Sequence, residues 1–88
     1  MLENWSLTIK KYNTALQSAK QGNEDLAIIQ LKKVVNISPN FVRAQQLIAL
    51  MYIIIGDEGK ALNHLVRANI TTPIKTLING NALGFSFS

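Results

Sequence analysis

The chain has 88 residues, and its nine basic and five acidic side chains give it a net charge of +4 at neutral pH. Apolar residues make up 48% of it and charged residues 16%, which excludes a disordered chain and predicts one small domain with a single core. The absence of cysteine excludes a disulfide scaffold and a thiolate metal site.

The first predicted helix runs from about Ser6 to Gln21. Its apolar side chains are spaced four, three, four and three positions apart, which places them along one side of a helix: Trp5, Ile9, Tyr12, Leu16 and Ala19. Gly22 and Asn23 predict the turn, because glycine adopts the left-handed backbone of helix ends and asparagine is a preferred N-cap. A second helix follows from about Glu24 to Asn36, and Pro39 closes it.

The same pattern then starts again. It predicts a third helix from about Phe41 to Ile55, a turn at Gly56 and a fourth helix from about Glu58 to Ile70. The segment from Ile74 to Asn79 is expected to form a short fifth helix that ends at Gly80. The remaining tail is expected to be mostly irregular.

Seven residues recur thirty-four positions further along the chain. Ala15, Leu16, Gly22, Glu24, Ala27, Leu31 and Pro39 return as Ala49, Leu50, Gly56, Glu58, Ala61, Leu65 and Pro73. Identity at this period is typical of stacked helical hairpins, each of which buries its apolar side only against a neighbour. Folds of this kind bind other molecules.

These residues resemble the tetratricopeptide repeat (TPR), a thirty-four-residue helix-turn-helix unit. Units counted from Thr8 and from Val42 place the repeated alanines, glycine, leucine and proline at the family's preferred small, turn, bulky and proline positions. The stretch YNTALQSAKQGNEDLAIIQLKKVV is similar to bacterial members of the family.

The resemblance implies an all-α fold, an α-solenoid of two TPR-like helix-turn-helix hairpins with a short fifth helix at the C-terminal end. Residues 1–88 are expected to form one domain, with the first repeat at about 8–41, the second at about 42–75 and a C-terminal segment at 76–88.

The opening helix of the first unit departs from the family pattern. Lys11, Thr14 and Ser18 stand where the family prefers large apolar side chains. One explanation is that this is a terminal unit, whose outer side meets water and tolerates polar residues. The other is that the apolar side from Trp5 to Ala19 faces the inner surface and binds a partner. The two explanations are compatible.

The resemblance also implies a binding groove, because TPR ligands lie along the concave surface formed by the opening helices. Its residues here would be Ile9, Tyr12, Leu16, Ala19, Lys20, Arg43, Gln46, Leu50, Ile53 and Ile54. An apolar floor with basic edges favours an amphipathic helix or an extended apolar peptide with acidic flanks. Of five positions that clamp acidic C-terminal peptides in some members, only Lys75 agrees, which argues against a chaperone-tail clamp.

Two repeats are fewer than the roughly three that such stacks usually need. The isoleucines of the groove therefore have three candidate covers: the protein's own C-terminal segment, a second copy of the chain in a homodimer, or a foreign peptide. The function predicted is a non-enzymatic protein interaction module, and the alternative is an assembly domain that self-associates through the same apolar face.

The sequence predicts no catalytic residues, no cofactor and no metal site. His64, the single histidine, is expected on the outward surface of the fourth helix, without a cysteine or carboxylate at ligand spacing. The acid pairs at Glu24 and Asp25 and at Asp57 and Glu58 open helices, where the helix dipole favours carboxylates, so they need no catalytic explanation.

The location and the remaining partners are judged from charge and hydropathy. The scattered lysines form no stripe on one helical face, which argues against nucleic acid as a partner. The longest apolar run, Leu47 to Ile55, has nine residues, about half of a transmembrane span. Because the start does not resemble a secretory signal, we expect a cytoplasmic protein or a soluble piece of a larger one.

Overall fold

The computed structural model describes residues 2–67, with side chains from Ser6 onward, and these residues form four α-helices. Helix α1 spans Leu2–Lys20, α2 spans Glu24–Ile37, α3 spans Val42–Ile54 and α4 spans Glu58–Arg67. No strand occurs within this span. The all-α class is therefore confirmed for the described residues.

The predicted helix bounds differ little from the observed ones, except at the start. Helix α1 begins at Leu2 rather than at Ser6, and α3 is one residue shorter at each end than predicted. The predicted end of the fourth helix at Ile70 and the predicted fifth helix at 74–79 lie outside the described residues.

Both tight turns have the same hydrogen-bond pattern. Gly22 has φ of 81° and Gly56 has φ of 93°, the left-handed backbone predicted for them. After α1, Gly22 N–H donates to the Ala19 carbonyl at 3.1 Å and Asn23 N–H to the Ser18 carbonyl at 2.9 Å. Thirty-four residues later, the amides of Gly56 and Asp57 repeat these two bonds at 3.0 and 2.7 Å. Each turn is thus a Schellman motif, which satisfies the last carbonyls of the helix before it.

The residue after each glycine differs in its capping role. Asn23 holds the N-cap position of α2 as predicted, but its side chain makes no capping hydrogen bond. Asp57 does cap α4, since its Oδ1 accepts the Lys60 N–H at 3.1 Å. The predicted asparagine cap is therefore correct in position and wrong in mechanism.

Consecutive helices pack against each other to build the core. Helix α2 packs on both α1 and α3, while α4 packs on α3 among the described residues. Helix α3 is buried around most of its circumference, which agrees with its nearly continuous apolar sequence. Seven of the repeated residues lie in this core, all of them alanine or leucine: Ala15, Ala27, Leu31, Ala49, Leu50, Ala61 and Leu65.

Thr14 and Ser18 of α1, two of the polar residues at positions where the family prefers apolar ones, satisfy their hydroxyl groups in different ways. Thr14 is exposed and its hydroxyl donates to the Lys10 carbonyl at 3.1 Å. Ser18 is buried and donates to the Gln30 Oε1 of α2 at 2.8 Å. This side of α1 therefore faces water and the edge of α2.

None of the helices among residues 2–67 combines the length and the apolar character that crossing a membrane requires.

Candidate partner-binding groove

The predicted groove residues of α1 lie along one side of that helix. Ile9, Tyr12 and Leu16 are half-buried, and Lys20 at the end of the helix is exposed. Ala19 is buried in the core, so it supports this surface from below rather than lining it. The helix therefore presents a row of partly accessible apolar side chains that ends in a positive charge.

The predicted groove residues of α3 divide into accessible and buried ones. Gln46 and Ile53 are half-buried, Arg43 is exposed, and Ile54 retains 43% of its accessible surface. Leu50 retains 1%, because the chain itself covers it. Leu50 is therefore a core residue in this structure and offers no surface to a partner.

An aromatic contact connects the two helices. The rings of Tyr12 on α1 and Phe41, the N-cap residue of α3, lie 4.9 Å apart between centroids and are tilted by 34°. Phe41 was not among the predicted groove residues. The sequence offered one indication of this role, namely that Phe41 is an aromatic residue placed directly before α3, after the turn at Pro39.

The positive charge of Arg43 acts on the Tyr12 side chain. Burial raises the pKa of the Tyr12 phenol, and the nearby Arg43 guanidinium acts in the opposite direction. Tyr12 and Arg43, which the sequence pattern assigned to one groove from two different helices, are thus neighbours in the structure.

We define the α1–α3 groove by its accessible apolar side chains and the cations at its ends. Tyr12, Leu16, Phe41 and Ile53 pack on the core with part of each side chain still accessible. The full set is Ile9, Tyr12, Leu16, Lys20, Phe41, Arg43, Gln46, Ile53 and Ile54. The set combines apolar side chains with two basic residues, Lys20 and Arg43, a composition that suits the binding of an amphipathic segment.

A second exposed apolar surface lies on α2. Leu26, Ile29 and Ile37 point away from the core, and Ile29 retains 56% of its accessible surface. Two exposed lysines, Lys32 and Lys33, stand among them. Sequence reasoning singled out the inner side of this helix and did not identify the outer one.

His64 occupies a different position from the one predicted. It retains only 8% of its accessible surface, and its Nδ1 lies 2.8 Å from Gln45 Oε1 on α3. The prediction of an outward surface histidine is wrong, because His64 follows Ala61 by three residues and so shares its inward side of α4. Gln45 and His64 each stand among the buried positions of their helix, and two polar residues in such places indicate a hydrogen-bonded pair.

The described residues contain no group of three histidine, aspartate or glutamate side chains able to hold a metal ion. No protein-family model, curated protein or solved structure shows a significant match to the chain.

Proposed function

We propose that this chain is a non-enzymatic protein interaction module of the TPR type, which binds an amphipathic helix or apolar peptide with acidic flanks. The observation that carries the proposal is the α1–α3 groove. It combines partly accessible apolar side chains of α1 and α3, which meet at the Tyr12–Phe41 contact, with the cations Lys20 and Arg43.

The repeat arrangement is supported by the two congruent turns. Hydrogen bonds recur between equivalent backbone groups thirty-four residues apart, including the bond from the Ala27 amide to Asn23 and that from the Ala61 amide to Asp57. Both alanines are fully buried. We propose that the two hairpins stack in the right-handed manner of α-solenoids, with the groove on the concave side.

The energetics of the groove favour an apolar ligand with negative ends. Burying one leucine-sized side chain contributes about 1.5 to 3 kcal/mol, so two or three such contacts offset much of the cost of association. Acidic residues that flank the apolar part of a peptide would be attracted by Lys20 and Arg43 and by the net charge of +4. A second copy of the chain would instead bring like charges together, which favours the peptide over the homodimer.

The proposal is tested by selecting binders from a random peptide display library against the intact protein. We expect enrichment of peptides with apolar residues at helical spacing and aspartate or glutamate at the flanks. Ile54→Ser should weaken the selected peptides at least about tenfold, because it removes an accessible apolar contact. Ile29→Ser, the same exchange on α2, is the matched control and should leave the affinity within about twofold. Peptides that bind both variants equally would place the site elsewhere.

The alternative function, self-association through the same face, has its own measurement. Sedimentation velocity over a wide concentration range separates a monomer from a dimer. A dimer that Ile54→Ser abolishes and Ile29→Ser preserves would favour the assembly role. A monomer at all concentrations would exclude it. The cytoplasmic location and the bacterial origin remain predictions from the sequence.

A further inference from the structure

A cavity of about 290 Å³ lies between α3 and α4 and shares no residue with the α1–α3 groove. Among the described residues its lining mixes polar and apolar surface and comprises Tyr52, Lys60, Asn63, His64, Val66 and Arg67. Tyr52 follows Arg43 by nine positions, or about 180° around α3 at about 100° per residue. The cavity is therefore on the opposite side of α3 from the groove.

A buried hydrogen-bond chain fixes the imidazole at the edge of this cavity. Gln45 Nε2 donates to the Pro39 carbonyl at 2.9 Å, so its Oε1 is the atom that faces His64 Nδ1. An amide oxygen only accepts, so Nδ1 carries the proton in the neutral ring and Nε2 is the basic nitrogen. The Tyr52 ring stacks on the imidazole with centroids 5.6 Å apart.

The other ring nitrogen, Nε2, is not engaged by Gln45, whose contact is with Nδ1. The imidazole is in contact with the cavity as one of its lining residues. Nε2 can therefore donate to a molecule in the cavity once the ring is protonated.

Positive charge surrounds the ring on several sides. Lys60 and Arg67 line the cavity from α4, and Lys32 on α2 is close enough to act on the imidazole. No carboxylate is among the described lining residues, although Lys60 itself pairs with Asp57 at 3.5 Å. The polar side chains among the described lining residues are thus hydrogen-bond donors and cations, beside the apolar surface of Val66.

We propose that this cavity binds an oxyanion, a phosphate or carboxylate group, between the Arg67 guanidinium and the protonated His64 imidazole. Arginine binds such groups through two parallel N–H donors, and the Asn63 amide supplies a further donor in the lining. Burial together with Arg67 and Lys32 lowers the pKa of His64. A bound anion offsets these effects, so anion binding and His64 protonation favour each other.

The single histidine makes the test direct, because its C2–H proton gives one resolved NMR signal in the intact protein. The signal is followed from about pH 5.5 to about pH 8 with increasing sulfate, which stays a dianion over this range, with acetate, and with sodium chloride at matched ionic strength. We expect a saturable shift and a raised His64 pKa with sulfate but not with chloride. Saturation by acetate as well would extend the ligand class to carboxylates, and saturation by sulfate alone would restrict it to phosphate-like groups.

Substitutions at two lining residues, compared with one control substitution on α1, locate the site. Arg67→Gln should weaken sulfate binding at least about tenfold, whereas Lys10→Gln removes the same charge from the exposed surface of α1 and should change it less than about twofold. Asn63→Ala gives a second, independent perturbation of the lining, and circular dichroism checks that each variant keeps its helices. A signal that drifts without saturation, equally in sulfate and chloride and equally in all variants, would overturn the proposal.

Discussion

Four of the five described alanines with no accessible surface recur at the spacing of thirty-four, two in each half of the described chain. They are Ala15, Ala27, Ala49 and Ala61. A methyl side chain lets neighbouring helices approach closely, and a core packed at crystal-like density has no space for a longer one. The identity of these residues at a spacing of thirty-four therefore has a packing reason.

Replacing Ala27 or Ala61 by leucine should destabilise the protein by about 1 to 3 kcal/mol, because the added atoms overfill a closed site. This is a large fraction of the stability of a small domain. Thermal and urea unfolding of the two variants measure the loss. Gln17→Leu, at an exposed position of α1, is the control and should stay within about 0.5 kcal/mol. Unchanged unfolding midpoints in both alanine variants would contradict the helix register described here.

His64 should make stability depend on pH in a defined direction. Burial, Arg67 and Lys32 lower its pKa in the folded state, so between that value and the unfolded value near about 6.5 the unfolded chain binds more protons. Stability should therefore fall as the pH decreases from about 7.5 through about 6.5, until the folded histidine also becomes protonated.

Urea unfolding at several pH values, in chloride buffers without sulfate or phosphate, measures this slope. His64→Gln keeps a donor toward Gln45 but does not titrate, so its stability should change little over the same interval. Parallel pH profiles for the two proteins would show that other groups are responsible.

The residue scale is also where sequence reasoning failed. His64 and Gln45 are nineteen positions apart, and only their pairing makes an interior place acceptable for both. Leu50 lies on the same side of α3 as Arg43 and Ile54, yet it is buried whereas they are exposed. Helical spacing gives the side of a helix but not what lies over it.

At the scale of the elements, the two Schellman turns define where hairpins begin and end. Their glycines hold φ of 81° and 93°, a conformation that a side chain with Cβ disfavours. The space around them is open, since an added Cβ at Gly22 would meet only the Glu24 carboxylate at 3.8 Å and one at Gly56 nothing within 4 Å. The requirement for glycine at these two positions is therefore conformational and not steric.

Gly22→Ala and Gly56→Ala should each cost about 1 to 2 kcal/mol in unfolding free energy through backbone strain alone. Gly59 is the matched control, because it lies inside α4 without a positive φ and its Cβ would meet Asp57 at an ordinary 3.8 Å. Gly59→Ala should leave stability unchanged or raise it by up to about 1 kcal/mol, since alanine favours a helix. Equal losses in all three variants would argue against the turn geometry.

The two N-cap positions offer a second contrast between the turns. Asp57→Ala removes the acceptor of the Lys60 amide and should destabilise the protein by about 0.5 to 2 kcal/mol. Asn23→Ala removes no capping hydrogen bond and should cost clearly less. Chemical denaturation of the two variants compares them, and a larger loss for Asn23 would contradict the assigned caps.

Most element boundaries could be predicted because their causes are local. Gly22, Gly56 and Pro39 restrict the backbone wherever they occur, so the ends of α1, α2 and α3 fall within one residue of expectation. The start of α1 was not predicted, because Asn4 and Ser6 are both preferred N-cap residues, yet the helix runs through both of them from Leu2.

At the scale of the whole molecule, α3 separates two surfaces of different chemistry. The α1–α3 groove is mainly apolar with a basic margin, and the cavity beside His64 is polar and cationic. The TPR resemblance implied the groove, because it assigns positions along the opening helices to the concave surface. It did not imply the cavity, whose His64 from α4 contacts Gln45 of α3 and is affected by the charge of Lys32 on α2.

The claim on which this account depends most is that the α1–α3 groove is the surface that binds a partner. A titration of the isotopically labelled protein with a display-selected peptide, followed by backbone amide NMR shifts, tests it directly. We expect the largest changes at Tyr12, Leu16, Phe41 and Ile53, together with loss of binding in Ile54→Ser. Shift changes confined to the outer side of α2, around Leu26 and Ile29, would contradict it.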